Sequence, residues 1–142
     1  MTEYILLFLT ALAAASVIPI SSEVLLLALL NAELNPMALW LTATLGNTLG
    51  AVINWFIGSK ISDHADAPWV PVSRANIERA SRWFNRYGVW SLLLSWLPLV
   101  GDALTFFSGI MRVRFALFLI LVAIGKGARY AVLIITFEAL PL

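Results

Sequence analysis

Two acidic side chains, Glu23 and Asp102, occur inside long apolar stretches of the sequence, and each follows a proline, Pro19 or Pro98, by four residues. A carboxylate at hydrocarbon depth is costly in free energy and by default marks an ion pathway or a proton relay. The two proline-to-carboxylate stretches are therefore the first candidates for chemistry. The chemistry available to them is the uptake and release of protons next to a charged ligand.

These two stretches also place similar residues at the same spacing. A duplicated unit with a shared site is the simplest interpretation, although overall identity between the two halves is low. Four pairs of residues share the same offset of 79 positions: Pro19 with Pro98, Glu23 with Asp102, Gly46 with Gly125, and Ser16 with Ser95.

The composition is that of an integral membrane protein. Of the 142 residues, 61% are apolar and only 12% are charged, and the mean hydropathy is +0.92. A soluble domain is about half apolar and a quarter charged. The net charge of +1 gives no reason to expect a nucleic-acid partner, and the absence of cysteine excludes disulfides and thiolate chemistry.

Polar segments divide the chain into four apolar stretches. Residues 37–57 and 115–137 are each long enough to cross a bilayer, whereas 4–18 is only about 22 Å long as a helix against a hydrocarbon core of roughly 30 Å. The two stretches that contain the prolines, 4–30 and 88–111, are therefore either kinked crossings or re-entrant hairpins. A re-entrant backbone is tolerated at that depth where it is buried in protein or lines a cavity.

The distribution of Lys and Arg distinguishes these two topologies. If all four stretches cross, five basic residues in 59–87 lie on one side and two in 111–114 lie on the other; if the proline-containing stretches re-enter, all seven share one side. Because cytoplasmic loops collect Lys and Arg, the re-entrant topology is favoured, with the long basic loop cytoplasmic and both termini outside. One crossing then separates the copies, so residues 1–58 and 88–142 form inverted repeats, as in many secondary transporters.

The polar segment between the repeats ends in an amphipathic helix that we expect to begin at Ser73. Arg79, Arg82 and Arg86 lie on one face of it, with Trp83 near the boundary to an apolar face. Basic residues opposite aromatic ones are typical of a helix that lies in the membrane interface. A solvated linker helix is the alternative.

We therefore predict an all-α integral membrane protein that forms a single domain over 1–142. Each of its two inverted repeats is a re-entrant helical hairpin plus one transmembrane helix, and the interfacial helix within 59–87 joins them. The predicted hairpin tips are Pro19, Ser21, Ser22, Pro98 and Gly101.

Polar residues inside the two predicted crossings complete the candidate substrate and proton pathway. Lys126 and Arg129 are three residues apart, so they share one helical face. Two cations this deep need partners, and the two carboxylates are the acids available at comparable depth. Asn47 and Asn54 are expected to face protein or water rather than lipid.

Small residues recur at every fourth position of the first crossing, at Gly46, Gly50, Asn54 and Gly58. Such a stripe lets a second backbone approach closely, and ordinary helix packing is its simplest interpretation.

A metal site and a cofactor are not expected. His64 has Asp63 and Asp66 as neighbours, but a lone histidine in a polar loop is usually solvated. No zinc pattern, serine–histidine arrangement or phosphate loop occurs in the sequence, so we expect no enzymatic activity.

Two segments carry a family resemblance. Residues 17–26 (VIPISSEVLL) resemble the first re-entrant signature of the DedA (SNARE-associated, VTT-domain) membrane family, and residues 84–98, continuing to 108–112, resemble the second. The Gly-Asp after Pro98 and the segment 125–130 (GKGARY) are similar to its YqaA-like subgroup.

The resemblance implies a bacterial inner-membrane protein with paired re-entrant hairpins, linked to proton-dependent transport or to lipid translocation. The family pattern places arginines on either side of the second proline, where this chain has Ser95 and Gly101. Lys126 or Arg129 would then supply the positive charge.

The resulting hypothesis is a proton-linked transporter or lipid translocase for an amphiphile with an anionic headgroup. Its expected partners are membrane lipids, protons and, because two crossings enclose little space, a second copy of the chain. The alternative is a membrane scaffold or assembly subunit in which the buried charges form a structural ion-pair cluster.

Overall fold

The computed structural model describes residues 1–15, 21–63, 73–97 and 100–140. Pro19, Pro98 and His64, with the predictions made for them, lie outside these residues. The described residues form helices and no strand. The elements in chain order are α1 (Thr2–Ala14), α2 (Ser22–Asn31), α3 (Pro36–Ser62), α4 (Arg74–Tyr87), a 3-10 helix (Val89–Trp96), α5 (Val100–Ile110) and α6 (Phe115–Ala139).

Two of these helices, α3 and α6, are long and apolar enough to cross a membrane. Their 27 and 25 residues correspond to about 40 and 38 Å of helix, against a hydrocarbon core of roughly 30 Å. The other apolar helices, α1, α2 and α5, have 13, 10 and 11 residues and are too short to cross alone. The two predicted crossings are thus confirmed as candidate spans.

The two long helices pack against each other in opposite directions. Near the start of α3, the Trp40 indole N–H donates to the Gly127 carbonyl oxygen in the middle of α6 (2.8 Å). Near the end of α3, the Trp55 indole N–H donates to the Val113 carbonyl oxygen just before α6 begins (3.1 Å). Two buried clusters follow the same order, one joining Leu39 to Tyr130 and the other joining α3 to the first half of α6.

The end of α3 and the turn between α5 and α6 lie side by side. Asp63, which follows α3, forms an ion pair with Arg112 in that turn. Arg112 has a φ of 53°, a left-handed conformation that closes the turn tightly after α5. The polar segments 59–63 and 111–114 therefore occupy the same end of the molecule.

The glycine stripe of α3 is where the shorter helices approach it, as predicted. A Cβ built on Gly46 or Gly50 would lie 2.5 Å from a carbonyl oxygen of α1, that of Phe8 or Leu12 respectively. Gly58 makes the corresponding approach to α5, at the Phe106 carbonyl. A larger residue at any of these positions would force the backbones apart, so the stripe sets the distance between α3 and its neighbours.

Two helices of the second half begin at an offset close to the 79 residues noted in the sequence. α5 begins 78 residues after α2 (100 against 22), and α6 begins 79 residues after α3 (115 against 36). The first element of each half differs: α1 is an α-helix, whereas its counterpart is a 3-10 helix that begins after Gly88, whose φ is +72°.

The amphipathic helix α4 begins where the sequence predicted, with the Ser73 hydroxyl accepting a hydrogen bond from the Asn76 backbone N–H (3.2 Å). Ala80 is buried, and Ile77 and Phe84 are half-buried. Its exposed side chains include the four predicted interfacial anchors, Arg79, Arg82, Trp83 and Arg86.

Candidate functional site

The site is organised on α6, which carries both cations. Lys126 is the twelfth of the 25 residues of this helix, and Arg129 follows one turn later. The Lys126 ammonium donates to Asp102 Oδ1 at 2.9 Å, and the Arg129 guanidinium donates to the Glu23 carboxylate. The structure therefore brings together all four charged residues that the sequence singled out. They form two ion pairs, and the cation of each pair is on α6.

The two ion pairs differ in burial. The Lys126 side chain is 1% exposed and its partner Asp102 is 26% exposed, whereas Arg129 and Glu23 are 22% and 30% exposed. A sealed charge in an apolar interior depends on its partner much more than a charge that reaches solvent or lipid headgroups. The Lys126–Asp102 pair is thus the fixed member of the site, and the Glu23–Arg129 pair is the accessible one.

Each carboxylate is delivered by the first turn of a short helix. Glu23 is the second residue of α2, which Ser21 caps by accepting a hydrogen bond from the Val24 backbone N–H (3.4 Å). Asp102 occupies the first turn of α5. A carboxylate in this position interacts favourably with the positive end of the helix dipole, so both helices stabilise the charge that they carry.

Close packing holds α5 in place for this contact. A Cβ at Gly101 would overlap the Ser95 carbonyl group of the 3-10 helix, so only glycine lets the two elements approach this closely. Gly125 plays the same part on α6, where a Cβ would lie 2.6 Å from Ser95 Oγ. Gly101 was predicted as part of a hairpin tip, and the structure places it at this contact beside Asp102.

A third contact joins α2 to α6. The hydroxyl oxygens of Ser22 and Tyr130 lie 2.7 Å apart in a buried hydrogen bond. Tyr130 was not among the predicted site residues. Its position directly after Arg129 in the segment 125–130 was the one sequence feature that could have indicated a role in the site. A tyrosine in an apolar helix is, however, equally typical of a packed core.

The two asparagines of α3 are buried, as expected, and both bind backbone carbonyls. Asn47 Nδ2 donates to the Ala11 carbonyl oxygen (2.9 Å), and Asn54 Nδ2 donates to the Ala15 carbonyl oxygen (2.7 Å). Asn54 Nδ2 also lies 3.2 Å from Thr105 Oγ1 of α5. Asn54 therefore joins α1, α3 and α5 at one point.

Several buried oxygens in the same region have no hydrogen-bond partner among the described residues. Two of them flank the central turn of α6, since Thr44 packs beside Gly127 and Ser95 beside Gly125. Buried hydroxyl and amide oxygens of this kind are ordinarily satisfied by water. The four atoms are Thr44 Oγ1, Asn47 Oδ1, Thr48 Oγ1 and Ser95 Oγ.

A groove opens beside the accessible ion pair. It has a volume of about 530 Å³, and Glu23 and Arg129 are its charged lining residues. The remaining lining side chains are apolar: Trp96, Ala128, Val132 and Leu133. A cation and a carboxylate beside an apolar wall can hold a ligand that combines an anionic group with a hydrocarbon chain. We refer to it below as the Glu23–Arg129 groove.

The two halves of the chain contribute unequally to this site. At the offset of 79 residues, Lys126 corresponds to Asn47, and Arg129 corresponds to Gly50. Glu23, from the first half, pairs with a cation of the second half, whereas Asp102 pairs within its own half. The two halves share the spacing of their carboxylates, but both cations of the site come from the second half.

The remaining predicted residues lie elsewhere. The four interfacial anchors are on α4, which packs against the 3-10 helix and α5. Among the described residues, no three His, Cys, Asp or Glu side chains are grouped as a metal site would require.

Sequence comparison with known proteins places the chain in a family. The family model of the VTT domain matches residues 17–138. Inner membrane protein YqaA of Escherichia coli (strain K12) is 37% identical over 125 residues, which cover 87% of this chain and 83% of that protein. An uncharacterized protein of Haemophilus influenzae is 34% identical over 139 residues, covering 90% and 83% respectively.

A more distant relative has a name that includes an activity. Undecaprenyl phosphate transporter A of Staphylococcus aureus is 26% identical over 123 residues, which cover 78% of this chain and 61% of that protein. No solved structure matches the chain significantly.

The difference in burial between the ion pairs predicts unequal effects of neutralising their acids. We expect Asp102→Asn to lower the free energy of unfolding by about 3–5 kcal/mol, because it leaves the sealed Lys126 ammonium unpaired. Glu23→Gln should lower it by only about 1 kcal/mol, because Arg129 remains partly exposed. Thermal unfolding of the two variants in detergent measures the difference.

The matched control is the double variant Asp102→Asn/Lys126→Met, which removes both charges and keeps the lysine's alkyl volume. It should recover part of the stability lost in Asp102→Asn. Equal destabilisation by Asp102→Asn and Glu23→Gln, with no recovery in the double variant, would contradict the assignment of Lys126–Asp102 as the fixed pair.

Proposed function

Because this chain belongs to the VTT-domain (DedA) family of membrane proteins, we propose that it is an inner-membrane translocase for a lipid or another amphiphile with an anionic headgroup, coupled to protons. The Glu23–Arg129 groove is the observation that carries this proposal. It combines one accessible cation with an apolar wall, which is the chemistry that a lipid phosphate requires.

The distant relative from S. aureus supports the same substrate class. It is named as a transporter of undecaprenyl phosphate, a lipid that consists of an isoprenoid chain and a phosphate. In this chain, Arg129 would bind the phosphate, and the apolar wall that includes Trp96 and Val132 would contact the chain.

Proton coupling follows from competition for Arg129. Glu23 is paired with Arg129 in the structure. A phosphate bound to the guanidinium would take over that pairing, and a carboxylate that loses its counter-charge in an apolar site is favoured to bind a proton. Headgroup binding at Arg129 and proton uptake at Glu23 would then occur together. The buried oxygens around the central turn of α6 would provide polar partners for water on the way to the site.

The topology proposed with this function is that of inverted repeats with re-entrant hairpins. Three features support it: α1, α2 and α5 are too short to cross, α3 and α6 run in opposite directions, and the Asp63–Arg112 pair joins the ends of 59–63 and 111–114. The long basic segment would be cytoplasmic, and both termini would lie outside.

A scaffold function is the second candidate, and a specific observation favours it. The Lys126 ammonium is sealed by its pairing with Asp102, and neither residue lines the groove. This pair would fix α5 to α6 within the second half, and Asn54, which joins α1, α3 and α5, would hold the two halves together. In the transport proposal, the same pair is the rigid base against which the Glu23–Arg129 pair exchanges partners.

Transport is tested by reconstitution into liposomes with a fluorescent phospholipid or a polyprenyl phosphate, with and without a pH gradient. We expect Arg129→Gln to reduce the flux about ten- to hundredfold, which corresponds to the loss of one charge-assisted hydrogen bond. Glu23→Gln should leave the flux insensitive to the pH gradient. Arg114→Gln, which removes an exposed cation from the turn before α6, is the matched control and should retain wild-type flux.

Two results would contradict this function. Folded wild-type protein that moves neither lipid class would favour the scaffold. Equal flux in Arg129→Gln and Arg114→Gln would remove Arg129 from the pathway.

The topology is tested by cysteine accessibility, for which the chain is suited because it contains no cysteine. Asp63→Cys and Arg114→Cys should both react with an impermeant maleimide from the cytoplasmic side. Glu33→Cys, in the turn between α2 and α3, should react from the opposite side. Labelling of positions 63 and 114 from opposite sides would show that the second proline-containing stretch, 88–111, crosses the membrane.

A further inference from the structure

A second groove lies between α4 and α5 and is separate from the Glu23–Arg129 groove. Its volume is about 440 Å³, within the range of ligand pockets. Trp83 and Phe84 of α4 and Ala103 and Phe107 of α5 form apolar parts of its lining, and Asn76 and Arg79 are the polar lining residues. None of these six side chains belongs to the two ion pairs of α6.

The charge on α4 determines what kind of ligand this groove suits. The helix carries four arginines and one acid, Glu78. Of the arginines, Arg79 lines the groove, whereas Arg82 does not. An occupant must therefore offer an apolar segment to the aromatic walls and a negative charge to the Arg79 guanidinium.

An anionic phospholipid has this chemistry. Basic residues near a membrane surface attract anionic headgroups, and amphipathic helices with Arg on one face and Trp or Phe on the other bury their apolar face at the headgroup boundary. Trp83 lines the groove and is 38% exposed, and it has the amphipathic character of the tryptophans that are enriched at that boundary.

We propose that the groove between α4 and α5 binds one acyl chain of an anionic phospholipid, with the lipid phosphate held by Arg79 and Asn76. This lipid is a bound partner that anchors α4 to the short helix carrying Asp102. The assignment does not depend on the proposed transport, because it involves neither Arg129 nor Glu23.

The test uses quenching of Trp83 fluorescence by lipids brominated on the acyl chain. The full-length protein is reconstituted in phosphatidylcholine vesicles that contain an equal fraction of brominated phosphatidylglycerol or brominated phosphatidylcholine. The Trp83 signal is the difference between wild type and Trp83→Phe. We expect the anionic lipid to occupy the groove about fivefold more strongly than the zwitterionic one, the preference expected for one arginine at the surface.

Matched variants separate a specific site from general attraction. Arg79→Gln should abolish the preference and Arg79→Lys should retain most of it, whereas Arg82→Gln, on the same helix, should keep it. Ala103→Phe, which fills the groove, should reduce quenching by both lipids, and Ala116→Phe, on the exposed start of α6, should not.

Three outcomes would overturn the proposal. Equal quenching by the two lipids in the wild type would mean that the groove does not select charge. Equal effects of Arg79→Gln and Arg82→Gln would mean that the attraction is diffuse. Absence of quenching by either lipid would mean that protein, such as a second copy of the chain, covers the groove.

Discussion

The structure depends on the requirement that charges inside an apolar interior find partners. α6 places an ammonium and a guanidinium near its middle, and an unpaired charge is most destabilising at the buried Lys126. Both are neutralised by carboxylates on other helices, Asp102 on α5 and Glu23 on α2. The first turns of these two short helices must therefore meet α6 at about the same depth. This requirement explains why each of these short helices carries a carboxylate in its first turn.

Close backbone contact is the second requirement, and glycine satisfies it. Apolar burial does not drive helices together inside a lipid bilayer, so packing and polar contacts must hold them. Gly46 and Gly50 admit α1, and Gly58 admits α5, while Asn47 and Asn54 donate to the carbonyl oxygens of Ala11 and Ala15 at the end of α1. A close glycine contact beside a hydrogen bond also occurs around Lys126. Gly125 packs against Ser95, and Gly127 packs against Trp40, whose indole N–H donates to the Gly127 carbonyl oxygen.

Much of this arrangement could be predicted from the sequence because polar residues in membrane-grade segments are rare and costly. The two spans and the involvement of all four charged residues follow from that rule, and the position of α4 follows from its amphipathic pattern. The pairing of acids with cations could not be predicted, because Lys126 and Arg129 share one face and either carboxylate could reach either cation. The pair that crosses between the halves, Glu23 with Arg129, is visible only in three dimensions.

Other features were hidden because their residues have a more common interpretation. Tyr130 and Trp96 look like ordinary apolar positions, although one binds Ser22 and the other lines the groove. The 3-10 helix of Val89–Trp96 is equally hidden, since an apolar run of eight residues shows no periodicity that separates it from an α-helix. Its tighter geometry places Ser95 against Gly101 and Gly125, which aligns α5 with α6.

The most direct measurement of the central claim is a charge exchange across the accessible pair. Glu23→Arg and Arg129→Glu each place two like charges together, so each variant should lower the yield of folded protein in the membrane. The double variant Glu23→Arg/Arg129→Glu restores an opposite-charge pair between α2 and α6, and it should recover most of the folded yield. If the losses of folded yield in the two single variants simply add in the double variant, the two side chains do not meet.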